Sequence, residues 1–379
     1  MKVALVHDWL TGMRGGEYVL EAIADLFQKR PSLYTLLYVP GKISPTLTTL
    51  PRKTSWLQKI PAAEKRYRSF LPLMPAMIQS FDLRGYDLIL SSSHCVAKGI
   101  LKPESAFHLS YVHAPMRYMW DRFPDYFGKG RAAFPIRAAA HLLREKMRKW
   151  DVSVSSKERV NAFIANSHYI QGQIKTFYQR DAHVVHPFAD QSRFTQPRRP
   201  GKSYLMVGAF APNKRVDLAI DAFNRLKLPL FIVGSGQEES RLKKMAGPTV
   251  DFLGPLSNKS IADLLSKCRA FIFPGLEDFG ITIVEALSAG APVIAYGRGG
   301  AAEIVTPKTG LFFDPQTVDA LMESVMKFEQ GECQFLEEDC RLRALDFTRE
   351  KFQKEFRAVL EKEWVDSGRD LGVLRTEFS

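Results

Sequence analysis

The stretch EDFGITIVEA, residues 277–286, sets two acids and a glycine after an apolar run, Phe271-Ile272-Phe273, that ends in Pro274 and Gly275. An apolar triplet closed by Pro and Gly reads as a buried strand entering a loop, and the ITIVEALSAG that follows reads as a helix. Backbone N–H groups at a helix start have no intrahelical partners, so those of Phe279, Gly280 and Ile281 form a candidate anion site. Glu285, one turn inside, would lie beside such an anion, where a carboxylate accepts two hydrogen bonds from a ribose diol. Glu277, at the strand end, is placed to reach another part of the same ligand. Carboxylates flanking a phosphate site suit a sugar nucleotide. The spacing also suits a plainer reading, in which Glu277 is a loop acid and Glu285 merely favours the helix N-terminus.

Two series of strand, glycine-bearing turn and helix supply the elements that would carry such residues. The first opens with VALVHDWL, TGMRGG and EYVLEAIADLFQKR, whose Val19, Leu20, Ile23, Leu26 and Phe27 recur at helical spacing. YDLILSSS (86–93), HLSYVHA (108–114) and AFIANS (162–167) predict further strands, with Asn166 and Ser167 suited to an N-cap. The second opens with SYLMVGAF (203–210) and the helix VDLAIDAFNRL, then adds LPLFIVGSG, VDFLGP, AFIFPG, PVIAYG and GLFFDP. The alternation predicts an α/β chain of two Rossmann-like, doubly wound parallel-sheet domains, with ligands at the carboxyl ends of their strands and a cleft between those edges. The boundaries expected are 1–186, an aperiodic linker at 187–202, 203–347, and a C-terminal helix and tail at 348–379 that suits either domain, a crossing back to the first among the alternatives.

Composition agrees with this outline. A chain of 379 residues with 45% hydrophobic and 25% charged residues suits two folded domains. Four scattered cysteines without a CxxC pair suit reduced thiols and exclude a zinc ribbon. The first apolar run is too short for a signal segment, and no run of about 18 apolar residues spans a bilayer. A cytoplasmic protein, peripheral at the inner membrane face, is expected. The net charge of +12 concentrates in RKTSWLQKIPAAEKRYR (52–68) and RAAFPIRAAAHLLREKMRKW (131–150), where Arg137, His141, Arg144 and Arg148 recur at helical spacing. Basic residues mixed with aromatic and aliphatic ones fit a helix on anionic lipid, and equally a solvated charged face. His183 and His186 have no third ligand nearby, so no metal is expected, and GSGQEE lacks the third glycine of a dinucleotide fingerprint.

The sequence FPGLEDFGITIVEALSAGAPVIAYGRGGAAEIV, preceded by VGAFAPNKRVDLAIDAF, VGSGQEESRLK and DFLGPLSNKSIADLLSKCRAF and followed by TGLFFDP, resembles the nucleotide-sugar domain of the retaining family 4 glycosyltransferases of GT-B fold. HDWLTGMRGGEYVLE, YDLILSSSH, YVHAPMRYMWD and FIANSHYI extend the resemblance over nearly the whole chain, and HAPMRYMWD is most similar to bacterial GDP-mannose-dependent mannosyltransferases of surface polysaccharide synthesis. The resemblance implies that Lys214 contacts the donor diphosphate, with Arg215 as a second cation. It implies that Gly15 and Gly16 form a loop closing on that diphosphate, that His113 contacts the transferred sugar, and that Glu277 holds its hydroxyls and Glu285 the ribose. The family often has an arginine after the strand glycine, where this chain has Ala209; Arg215 or Arg14 is the substitute expected. With no Asp-x-Asp triplet, metal-independent transfer without a cofactor is expected, onto a saccharide or polyprenyl-diphosphate-linked acceptor. A UDP- or dTDP-sugar donor or a soluble acceptor is the alternative on the same fold. A nucleic-acid partner is not expected, because the two acids would repel a phosphate backbone.

Overall fold

The computed structural model describes residues 1–128 and 134–378, so the first three residues of the second basic block lie outside it. The chain divides into two compact units, Met1–His186 with Phe352–Ser379, and Pro187–Lys351.

In the first unit, seven parallel strands pair in the order β3-β2-β1-β4-β5-β6-β7. They are β1 Val3–His7, β2 Ser32–Thr35, β3 Arg52–Thr54, β4 Leu88–Ser93, β5 Phe107–Val112, β6 Ala162–Ala165 and β7 His183–Val184. Every residue of β1, β4 and β5 is buried, the pattern of strands covered on both faces. The strand order reverses between β1 and β4, so the ends of these strands and of β5 deliver His7, Asp8, His94 and His113 to one edge.

Asp8 shapes that edge. Its carboxylate is fully buried and accepts four backbone N–H groups from the loop after β4: His94 at 2.7 Å, Cys95 at 3.0 Å, Val96 at 2.6 Å and Ala97 at 2.8 Å. A desolvated charge is tolerable only when its lone pairs are filled in this way. The loop is thus pinned to the end of β1.

In the second unit, six parallel strands pair in the order β10-β9-β8-β11-β12-β13. They are β8 Tyr204–Val207, β9 Leu230–Val233, β10 Val250–Gly254, β11 Phe271–Phe273, β12 Val293–Tyr296 and β13 Gly310–Phe313. Here the order reverses between β8 and β11. Residues 187–202 are packed into this unit: Ala189 and Phe194 are buried in its core, and Arg341 donates to the Phe194 carbonyl at 2.7 Å. The helix Arg349–Asp366 buries Phe352, Phe356, Leu360 and Trp364. Its aromatic rings meet those of β5, Phe352 at 5.7 Å from Tyr111 and Trp364 at 5.7 Å from Phe107. Burying each such side chain contributes about 1.5–3 kcal/mol, which ties the C-terminal segment to the first unit.

Of the two basic segments, only the second forms the helix expected of a lipid-facing element. Residues 52–68 form the edge strand β3 and short turns of helix, Trp56–Lys59 and Ala63–Arg66, broken by Pro61. Leu57 and Tyr67 point into the core, and Trp56 stays exposed. The second segment forms the long helix Phe134–Ser153, and two residues of its basic row are turned onto protein. Arg144 and Arg148 donate to the Met119 carbonyl at 3.0 and 2.9 Å and lie over the rings of Phe123 and Trp120. This helix exposes Phe134, Ile136 and Leu142, at 73%, 57% and 84%, alongside the cationic side chains of Lys146 and Lys149. Among the described residues, no helix is long and apolar enough to cross a membrane.

Candidate functional site

In the second unit the loops after β8 and β11 meet because Gly275 has no side chain. A Cβ there would lie 2.7 Å from the Asn213 carbonyl oxygen and 2.9 Å from Lys214 Cα. The close approach lets both residues reach one carboxylate. Lys214 Nζ is 2.7 Å from Glu277 Oε2, and Asn213 Nδ2 donates to Glu277 Oε1 at 2.6 Å. Glu277 is further fixed through its backbone, whose carbonyl accepts the Gly300 N–H at 2.9 Å. Gly300 packs so tightly on the next turn of chain that an added Cβ would sit 2.1 Å from the Phe279 carbonyl oxygen. Neither Glu277 nor Lys214 is sealed, with side chains 12% and 25% exposed, so the pair stays open to a ligand.

Beyond this pair the helix Ile281–Ser288 starts from Gly280, whose φ of +105° is a left-handed conformation that glycine adopts readily. The N–H groups of Gly280 and Ile281 therefore lie in the first turn, at the positive end of the helix dipole. Phe279 offers only its backbone, because its ring is buried against Phe347. Glu285 forms an ion pair with Arg193, from a three-residue turn that Asp190 caps. Burial pushes the Glu285 carboxyl upward and the Arg193 guanidinium pulls it back. Arg215, also left-handed at φ +49°, spreads its guanidinium between Asp217 at 3.1 Å and Gln316 at 3.4 Å. Gln316 in turn donates to the Pro274 carbonyl at 2.7 Å, so Arg215 is held beside the strand end and does not touch either glutamate.

The first unit has its own candidate site, a cavity of about 430 Å³ at the carboxyl edge of β1, β4 and β5. Arg14, Arg68 and Arg117 line it together with His7, His94 and His113, and Trp9, Leu71, Met74 and Phe127 supply apolar wall. Gly15 and Gly16 are the first residues of the helix Gly15–Ala24, not a loop before it. The helix starts early because Glu17 reaches back to accept the Arg14 N–H at 3.1 Å. Gly16 faces the His113 ring, where a Cβ would make ordinary contact at 3.5 Å from Nε2. Burial raises the Glu17 carboxyl to about 7 and drives His113 well below its usual range.

Lys214, Glu277, Phe279, Gly280, Ile281 and Glu285 thus share the β8/β11 edge of the second unit, whereas Gly15, Gly16 and His113 share the pocket of the first. Reading the sequence missed Asn213 and Arg193, partners of the two glutamates, and the cations Arg68 and Arg117. Arg193 lies in a stretch without periodicity, and only the fold brings Arg68 and Arg117 to the pocket.

Residues 188–344 match the family model for glycosyl transferases group 1. The chain is 38% identical over 109 residues, 26% of its own length, to a GDP-mannose-dependent monoacylated alpha-(1-6)-phosphatidylinositol monomannoside mannosyltransferase of Corynebacterium glutamicum, covering 29% of that protein. It is 30% identical over 138 residues, 34% of its length, to the O-antigen chain mannosyltransferase C of Escherichia coli, covering 37% of that protein. The chain thus spans about a third of the length of the curated relatives it matches. Among solved structures, a lipopolysaccharide outer core galactosyltransferase in its apo form superposes with a TM-score of 0.68 over 96% of this chain and 100% of that one, at 17% identity. The fold is that of the GT-B glycosyltransferases, built from two Rossmann-like parallel-sheet domains.

Proposed function

We propose that the protein is a retaining glycosyltransferase that moves mannose from GDP-mannose to a lipid-linked saccharide in cell-surface polysaccharide synthesis. The observation that carries this reading is the Lys214–Glu277–Asn213 cluster at the end of β11, next to a helix N-terminus with Glu285 one turn inside. A donor diphosphate there meets the Lys214 ammonium and the helix dipole, which stabilise charge on the departing nucleoside diphosphate without a metal. Glu277 holds hydroxyls of the transferred sugar and Glu285 the ribose. The leaving diphosphate takes the acceptor proton on the same face, so no carboxylate nucleophile is called for. Arg215, held by Asp217 and Gln316, supplies further positive field.

The Corynebacterium glutamicum relative, a GDP-mannose-dependent mannosyltransferase, supports the donor, and the Escherichia coli O-antigen chain mannosyltransferase supports mannose as the sugar. Arginines beside apolar wall in the first-unit pocket suit an acceptor that joins a diphosphate to a lipid, and the exposed Phe134, Ile136 and Leu142 suit contact with a bilayer. The test is transfer from radiolabelled GDP-mannose and UDP-glucose to lipid-diphosphate acceptors, with the anomeric configuration of the product read by NMR. Transfer of mannose with retention is expected. Turnover of UDP-glucose alone, or an inverted product, contradicts the reading.

A further inference from the structure

At the floor of the first-unit pocket a serine joins two imidazoles. Ser92 Oγ lies 3.1 Å from His7 Nδ1 and 2.7 Å from His113 Nε2. His7 and Ser92 are buried, and His7 and His113 both line the cavity. Burial holds both rings below their ordinary range, His7 at about 4, so each is neutral near pH 7 and carries one N–H and one bare nitrogen. The second nitrogen of His7, Nε2, is buried and has no hydrogen-bond partner. An orphaned buried N–H is costlier than an orphaned lone pair, so His7 carries its proton on Nδ1 and donates it to Ser92 Oγ. Ser92 then has its own proton to place, and the acceptor in reach is His113 Nε2. A His113 that accepts at Nε2 carries its proton on Nδ1.

We propose that Ser92, oriented by His7, is a positioning residue that fixes His113 as the Nδ1–H tautomer, so that the ring meets an oxygen-rich ligand in the pocket as a hydrogen-bond donor. The functional part of this inference rests on the reading of His113 as a contact to the transferred sugar. Released from the relay, the ring returns to the Nε2–H form that imidazoles favour in water and presents a bare Nδ1, which cannot donate to a sugar oxygen.

Two-bond ¹H–¹⁵N correlation spectra of the full chain, labelled at histidine and assigned for His113 with H113Q, read the tautomer at pH 7.5. The Nδ1–H pattern is expected in the unsubstituted protein and in S92T, and a predominantly Nε2–H pattern in S92A. An Nε2–H His113 in the unsubstituted protein, or an S92A spectrum with the tautomer unchanged, overturns the inference; should S92A fail to fold, the unsubstituted spectrum alone decides. In transfer assays S92A should lose about tenfold in kcat, the worth of one neutral hydrogen bond, with the donor KM nearly unchanged and S92T restoring the rate. The spectra need no turnover. An Nδ1–H tautomer that S92A shifts, in a protein that transfers no sugar, would leave the relay standing and sink the glycosyl-transfer reading instead.

Discussion

Glu277 is held by two donors of different kinds, and each should leave a different signature when removed. Lys214→Ala takes away the cation assigned to the diphosphate and leaves Glu277 with Asn213 alone, so kcat/KM is expected to fall by about 10²–10³, the scale of one lost charge-stabilising donor. Asn213→Ala keeps the Lys214 pair and is expected to cost only about tenfold, again one neutral hydrogen bond. Equal losses in the two variants would mean that Lys214 does no more than orient the glutamate. The partner of Glu285 makes a separate prediction. Arg193→Ala leaves that half-buried carboxylate without its cation, and the expected result is a raised donor KM at nearly constant kcat, the mark of lost ground-state binding. The types and spacing of Glu277, Glu285 and the helix start were legible in the sequence because they sit on one strand-loop-helix segment. Asn213 and Arg193 were not, since their proximity to the acids depends on Gly275 and on the packing of residues 187–202.

The elements most plainly written in the sequence are the buried strands and amphipathic helices, and those hidden from it are short or polar. β2, β3 and β7 contain four, three and two residues and carry no clear periodicity; sheet pairing holds them in place. The loop after β4 is likewise invisible to pattern, because a carboxylate distant in sequence organises it. Asp8→Asn keeps the shape but sets an NH₂ donor against backbone N–H donors, and should destabilise the protein by about 3 kcal/mol. Denaturant unfolding measures this, and a loss below about 1 kcal/mol would mean that the loop holds itself. The helix Phe134–Ser153 carries the bilayer proposal through its exposed apolar residues, since Arg144 and Arg148 of its basic row are bound to the Met119 carbonyl. Wild-type protein is expected to float with liposomes containing anionic lipid, and a variant with Phe134, Ile136 and Leu142 all changed to Ser to stay behind. Equal flotation of both would rule this helix out as the anchor.

At the scale of the whole molecule, buried titratable groups make stability depend on pH. His7 and His108 are held by burial at about 4, against an ordinary 6.5. The folded state therefore binds fewer protons than the unfolded one between these values, and stability is lost as pH falls through that window, by about 2 kcal/mol for each histidine between pH 7.5 and 5. Glu17, raised from 4.5 to about 7, works in the opposite sense: its stabilising share is present at low pH and is lost as pH rises through about 7. Glu17→Gln removes that offset, so the variant is expected to lose more stability than wild type on acidification, and parallel unfolding curves would contradict the assignment. The division into two Rossmann-like sheets was the most legible feature at this scale, because glycine-bearing turns and buried strands alternate along the chain. The central claim, that the edge holding Lys214, Glu277 and Glu285 binds an activated sugar, is tested most directly by the crystal structure of the protein soaked with GDP-mannose. Density is expected with the diphosphate at Lys214 and the start of the helix Ile281–Ser288, the hexose at Glu277 and the ribose at Glu285. Density at another site, with those three side chains untouched, would contradict it.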